Sequence, residues 1–151
     1  MKAIGIFVLL LLIALGVGTV MLTREPSREL DAQGRTWVSE FATWHDEISR
    51  PLGNAVATTG GLGEEGLSAR QVELLGACAR SLAPLGPPPG FLHSVAEDAS
   101  AACSQIEAAL SVDAKYSGAG RATTWDHLRR AESLLAVAET NLRDFESASV
   151  S

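Results

Sequence analysis

The chain has 151 residues and a formal net charge of −6, from 12 basic and 18 acidic side chains. That acidic balance excludes a sequence-independent grip on nucleic acid or on an anionic membrane face, since both need clustered Lys and Arg. The length, less a leader, suits one domain built round one core.

Ile4 to Leu22 is an uncharged apolar run, preceded by Lys2 and closed by Arg24 and Glu25. As a helix it rises about 28 Å, close to the roughly 30 Å hydrocarbon thickness of a bilayer. A cleaved signal peptide is the rival reading. Its apolar core is usually only about 7 to 15 residues and ends in a small-x-small site. Here Ala14-x-Gly16 and Gly16-x-Gly18 lie inside the run, with Val20, Met21 and Leu22 still to come, and no cysteine stands near its end to accept a lipid. The run is therefore read as an uncleaved signal anchor over residues 1–23, in contact with the lipid bilayer through Ile4–Leu22. Lys2 opposes Arg24, Arg28 and Arg35 in positive-inside counting, so charge leaves the orientation open. A leader this early, together with the cysteine pair, favours a chain whose bulk lies outside the cytoplasm.

Pro26 either starts a helix or kinks a continuous one, and Ser27 can cap the helix after it. Leu30, Gly34, Trp37, Phe41, Trp44 and Ile48 recur at spacings of four and three, the signature of one buried helix face, with an end expected at Arg50-Pro51. Residues 52–66 read as a Gly- and Thr-rich connection. Gly61-Leu62-Gly63-Glu64-Glu65-Gly66 matches G-x-G-x-x-G, but no βαβ unit surrounds it and two glutamates would repel a pyrophosphate, so the match is accidental. Ser68-Ala69-Arg70-Gln71 is a capping box, with Leu67 and Val72 placed as a hydrophobic staple. The helix it opens carries Leu75, Cys78 and Leu82 as its stripe.

Pro84 to Gly90, with four prolines, breaks that helix and favours a stiff, extended connector. A third helix is expected from about Phe91 to Leu110, with Leu92, Val95, Ala99, Ala102, Ile106 and Ala109 on one face. Val112 to Ala122 reads as a second link, and Thr123 or Thr124 as the cap of a last helix. That helix carries Leu128, Ala131, Leu135, Ala138, Leu142 and Phe145 at spacings of three and four, which suits shallow packing in a bundle. From Ser147 the chain reads as a polar, fraying tail.

Cys78 and Cys103 form no C-x-x-C and fall on different helices, so their expected state is a disulfide, with two buried thiols as the alternative. A tight hairpin would set Cys78 opposite a residue near Val95 and not opposite Cys103, but the proline-rich link can offset the next helix by about two turns, since extended chain covers roughly 3 Å per residue. His45, His93 and His127 fall one each on three helices, without the Glu-x-x-His pairs of a bundle metal site. His93 and Glu97, at i and i+4, fit a surface pair. The one adjacent basic pair, Arg129-Arg130, and the acidic pair Asp46-Glu47 read as solvated helix faces. Motifs for haem attachment, a nucleophile elbow or a zinc protease are absent, so neither a catalytic residue nor a cofactor is expected.

With its apolar leader, Cys78 before Pro87–Pro89, and Cys103 one helix later, the chain resembles small exported helical proteins of high-GC bacteria, and its preference for Arg over Lys is in keeping with such genomes. The resemblance implies export and names no activity. The expectation is thus an all-α protein, an N-terminal transmembrane signal-anchor helix followed by an antiparallel four-helix bundle over residues 24–146 and a tail at 147–151. Its function would be to bind an envelope protein as a scaffold, without catalysis or nucleic acid. A cleaved, secreted form and a bundle that holds a metal or small ligand stay open as alternatives.

Overall fold

The computed structural model of the chain describes residues 30–60, 66–116 and 120–149, and the regular structure in them is all helical. The apolar run Ile4–Leu22, the Ser27 cap and residues 61–65 of the glycine-rich match lie outside the described residues. No described helix is long and apolar enough to cross a membrane.

Helix α1 spans Ala32–Gly60. Asp31 opens it: its carboxylate accepts from the Gly34 N–H at 2.7 Å, and its carbonyl accepts from Arg35 N at 3.1 Å. The aliphatic and aromatic stripe expected for this helix is buried throughout, from Trp37 to Ile48. The expected end at Pro51 is wrong, because the helix runs through it. A helix-interior proline costs about 3 kcal/mol. Beyond it, Leu52, Ala55 and Val56 extend the same buried stripe, and full burial of a Leu or Val alone is worth about 1.5–3 kcal/mol. Packing outweighs the lost hydrogen bond, so residues 52–60, expected as a connection, are helix. Thr59, also buried, satisfies its hydroxyl on the Ala55 carbonyl at 2.8 Å.

Helix α2, Ala69–Gly76, starts with the capping box as expected. The Gln71 N–H donates to Ser68 Oγ at 3.3 Å, and the Ser68 N–H donates to Gln71 Oε1 at 2.9 Å. Leu67 packs on the core, while Val72, its expected staple partner, stays 39% exposed. The helix breaks at Ala77, after Gly76, and resumes as α3, Cys78–Leu82. Two short 3₁₀ turns, Ala83–Leu85 and Gly90–Leu92, bracket the proline run. Helix α4 is His93–Tyr116 and α5 is Arg121–Ser149, so the second link is shorter than expected at both ends and the last helix continues past Ser147. Every residue expected on the inner faces of α4 and α5 is buried.

Thr124 is not a cap. It lies inside the first turn of α5, its N–H bonded to the Gly120 carbonyl at 2.9 Å. Position 124 is four residues before Leu128 on the buried stripe, so packing claims the side chain and leaves it 1% exposed.

Cross-contacts set the directions. Trp37 meets Gly86 and Trp44 meets Ser81 between α1 and the α3 side. His45 meets Leu135, and Gly60 abuts Trp125, between α1 and α5. His127 meets Gln105, and Asn141 meets Asp98, between α5 and α4. In each pair one number rises as the other falls, so neighbours are antiparallel. The first helix packs on the last, which closes the α-helical bundle. Buried alanines on α4 and α5 bring those two helices into the most extensive pairing.

The expected disulfide is present: Cys78 and Cys103 are joined, with Cα atoms 5.4 Å apart. It closes a loop of 25 residues, worth about 3.5 kcal/mol on the chain-entropy estimate. Replacing both cysteines with alanine is expected to lower stability by about 3 kcal/mol, read in urea as a lower midpoint with a steeper slope, because the freed unfolded chain exposes more surface. The Thr124 hydroxyl has no partner among the described residues. Thr124→Val should therefore raise stability by about 1 kcal/mol, because it removes a buried, unpaired polar group. Chemical denaturation checks it, and a loss of stability would reveal a partner for the hydroxyl.

Candidate functional site

The start of α1 and the proline connector enclose a groove of about 560 Å³. Its α1 wall carries Asp31, Thr36 and Glu40, its connector wall Leu85 and Pro87–Pro89, and its floor Gly34 and Trp37. Each part has a local cause. Gly86 adopts φ 68°, a left-handed conformation open to glycine, and its N–H donates to the Ala83 carbonyl at 3.3 Å. That turn presents the Gly86 carbonyl to Trp37, whose indole N–H donates to it at 3.4 Å. Gly34 allows the connector to approach, since a Cβ there would stand 3.3 Å from Pro89 Cγ and 2.5 Å from Leu30 Cδ2. Two helical turns further in, the Trp44 indole donates to Ser81 Oγ at 3.1 Å, and that hydroxyl donates to the Cys78 carbonyl at 3.0 Å. Trp37 stacks on Phe41 at 5.1 Å between centroids, and Trp37 and Trp44 are both core, as expected, while the Trp37 N–H holds the connector and the Trp44 N–H holds α3.

One wall is therefore acidic and hydrogen-bonding. The other is apolar and, at its prolines, without N–H donors. Such a groove suits an extended segment carrying apolar and basic side chains. Asp31 and Glu40 supply the charge, although Asp31 already accepts the Gly34 N–H.

A second, smaller cleft of about 170 Å³ lies between α1 and α5, lined by His45, Ser49, Glu132 and Glu139. His45 Nε2 is 3.2 Å from the Leu135 carbonyl, which can only accept, so Nε2 carries the proton. Ser49 Oγ lies alongside the ring, 3.4 Å from Nδ1 and 3.3 Å from Nε2. These bonds satisfy the histidine as an interhelical tie. His127 Nδ1 pairs with Gln105 Oε1 at 2.8 Å, and His93 pairs with Glu97 at 3.2 Å on the surface, as its spacing implied. The three histidines do not come together. No cluster of three or more His, Cys, Asp or Glu side chains that could hold a metal is found among the described residues. Arg129 pairs with Glu132 and lies over Trp125, and Arg130 pairs with Asp126 at 2.7 Å, so this basic pair is engaged along its own helix.

The groove is the feature that reading the residues in order did not reveal. Its signals were Gly34 standing among large residues of the α1 stripe, and two tryptophans seven apart, each with an N–H to place. The chain matches no protein-family model, no curated protein and no solved structure.

Trp37→Phe keeps a ring on the floor and deletes the bond to Gly86. We expect a stability loss of about 1 kcal/mol and faster hydrogen exchange at the amides of Gly86 and Leu92, measured by mass spectrometry, with the α4–α5 amides unchanged.

Proposed function

We propose that this is a single-pass, membrane-anchored protein whose acidic helical bundle lies outside the cytoplasm and binds an envelope protein in the groove between α1 and the proline connector. The observation that carries the reading is the position of that groove. It is built at the end of the bundle where the chain arrives from the apolar run Ile4–Leu22. A partner held there sits beside the anchor. The Cys78–Cys103 disulfide supports the address, because such bonds persist in oxidising compartments. The ties through Trp37, Trp44 and Ser81 support the binding role: a groove whose walls are held before the partner arrives loses less entropy on binding.

A photo-crosslinking residue at Thr36, exposed on the groove wall, tests the reading against the same residue at Ser104, exposed on α4. Illumination of intact cells should give a discrete adduct from position 36 in the membrane fraction and none from position 104. Recovery of the chain in the cytosol would refute the address. Equal labelling from the two positions, or none from 36, would refute the groove.

A further inference from the structure

The antiparallel course of the bundle brings three parts of the chain to one end: the start of α1, the connector between α3 and α4, and the last turns of α5. From Ser81 to Leu92 the chain carries no charged side chain. Within that stretch Gly86, Pro87, Gly90 and Phe91 are exposed. Phe91 is 44% exposed, and one face of its ring stacks on Phe145 at 4.6 Å between centroids. An aromatic stacked on a second ring, in an uncharged proline turn, leaves apolar surface that the other described residues do not cover.

The distance to lipid is short. Leu22 ends the apolar run and Leu30 begins the described structure at this same end, eight residues later. Eight residues span at most about 28 Å fully extended, or about 12 Å as helix. On the membrane-anchored reading, on which this inference rests, a tether of that length keeps the tip within reach of the bilayer surface. We infer that the Pro87–Phe91 turn is a second membrane contact, which sets Phe91 and the exposed Pro87 into the interfacial layer, with the half-buried Pro88 and Pro89 left in the groove wall.

The chemistry of the turn fits that medium. Pro87, Pro88 and Pro89 carry no backbone N–H and the Leu92 N–H is given to the Pro89 carbonyl at 2.8 Å, so only the N–H groups of Gly90 and Phe91 are left to the water and headgroups of the interface, a layer shallower than the hydrocarbon where an unpaired N–H is costly. Aromatic and aliphatic side chains favour the interface. The charges round this end are mixed and mainly acidic, with Asp31, Glu40, Glu97, Asp144 and Glu146 against Arg35 and Arg143. Attraction to anionic headgroups is therefore not the driving force, and a zwitterionic surface suffices.

The test uses the full-length chain reconstituted into phosphatidylcholine vesicles, with a nitroxide label on Phe91→Cys, Pro87→Cys or Val137→Cys. Val137 is the control, because it is 48% exposed and equally apolar but lies on the flank of α5. Flotation with the vesicles reports the anchor, and circular dichroism confirms that each variant is folded. The expected result is a several-fold lower collision rate with a water-soluble nickel chelate, and a higher rate with oxygen, at 87 and 91 than at 137. The same contrast is expected in vesicles containing phosphatidylglycerol. Chains that float but carry labels at 87 and 91 as open to the chelate as the one at 137 would overturn the inference and leave the anchor standing. Shielding found only with the anionic lipid would overturn insertion through apolar groups. Chains that do not float would overturn the anchored reading, and the inference with it.

Discussion

The constraint on which the rest depends is the register of α3 against α4. Cys78 is bonded to Cys103, eight residues beyond Val95, the position a tight hairpin would have offered. Eight residues are about two helical turns, and the stretch from Ala83 to Leu92 supplies the offset with two 3₁₀ turns round a proline run. Once the register is locked, the connector must cross the end of the bundle instead of folding back tightly. That crossing places the Gly86 carbonyl over the Trp37 indole and Pro89 against Gly34. The groove and the exposed Phe91 both follow from the same displacement.

Periodicity made the helices legible and local signals made their ends legible only in part. The stripes of α1, α4 and α5 are buried as their spacings of three and four require, and the Ser68–Gln71 box is where its pattern put it. The failures share one cause. Pro51 and Thr124 each carry a local preference, for a helix end and for a cap, and each occupies a position that the bundle needs for packing. At Pro51, continued burial from Leu52 to Thr59 outweighs a missing hydrogen bond. At Thr124, the stripe leading to Leu128 turns the hydroxyl inward. Gly76 runs the other way: helix periodicity carried the second helix past it without a break, and the chain kinks at Ala77, with Gly76 near Leu110 across the interface.

The groove was harder to foresee because it is made by contacts distant in sequence. Trp37 and Gly86 are 49 residues apart, and Trp44 and Ser81 are 37 apart. A stripe position tells that a tryptophan is buried; it does not tell where its N–H goes. The cysteine pair was more accessible, since the chain has two cysteines and so one possible pairing within it, and its spacing called for an offset that the connector could supply.

Polar contacts divide by role. The ion pairs Asp46–Arg50, His93–Glu97, Arg129–Glu132, Asp126–Arg130 and Glu139–Arg143 each join residues three or four apart on one helix, in exposed positions. Pairs of that kind contribute a few tenths of a kcal/mol each and hold no two helices together. Among the described residues, the bonds that cross between helices are part-buried from His45 to Leu135, Trp44 to Ser81 and His127 to Gln105, and exposed from Asn141 to Asp98. A bundle with alanine-lined faces can slide by a turn at little cost in apolar burial, because small side chains look alike from one turn to the next. Each of the part-buried bonds has its partner in one register only, and a slipped register would leave a buried polar group unpaired at about 1–3 kcal/mol. Burial supplies the driving force. The disulfide and these few polar ties select one alignment out of several that burial alone would accept, and that alignment is the one in which the connector walls the groove.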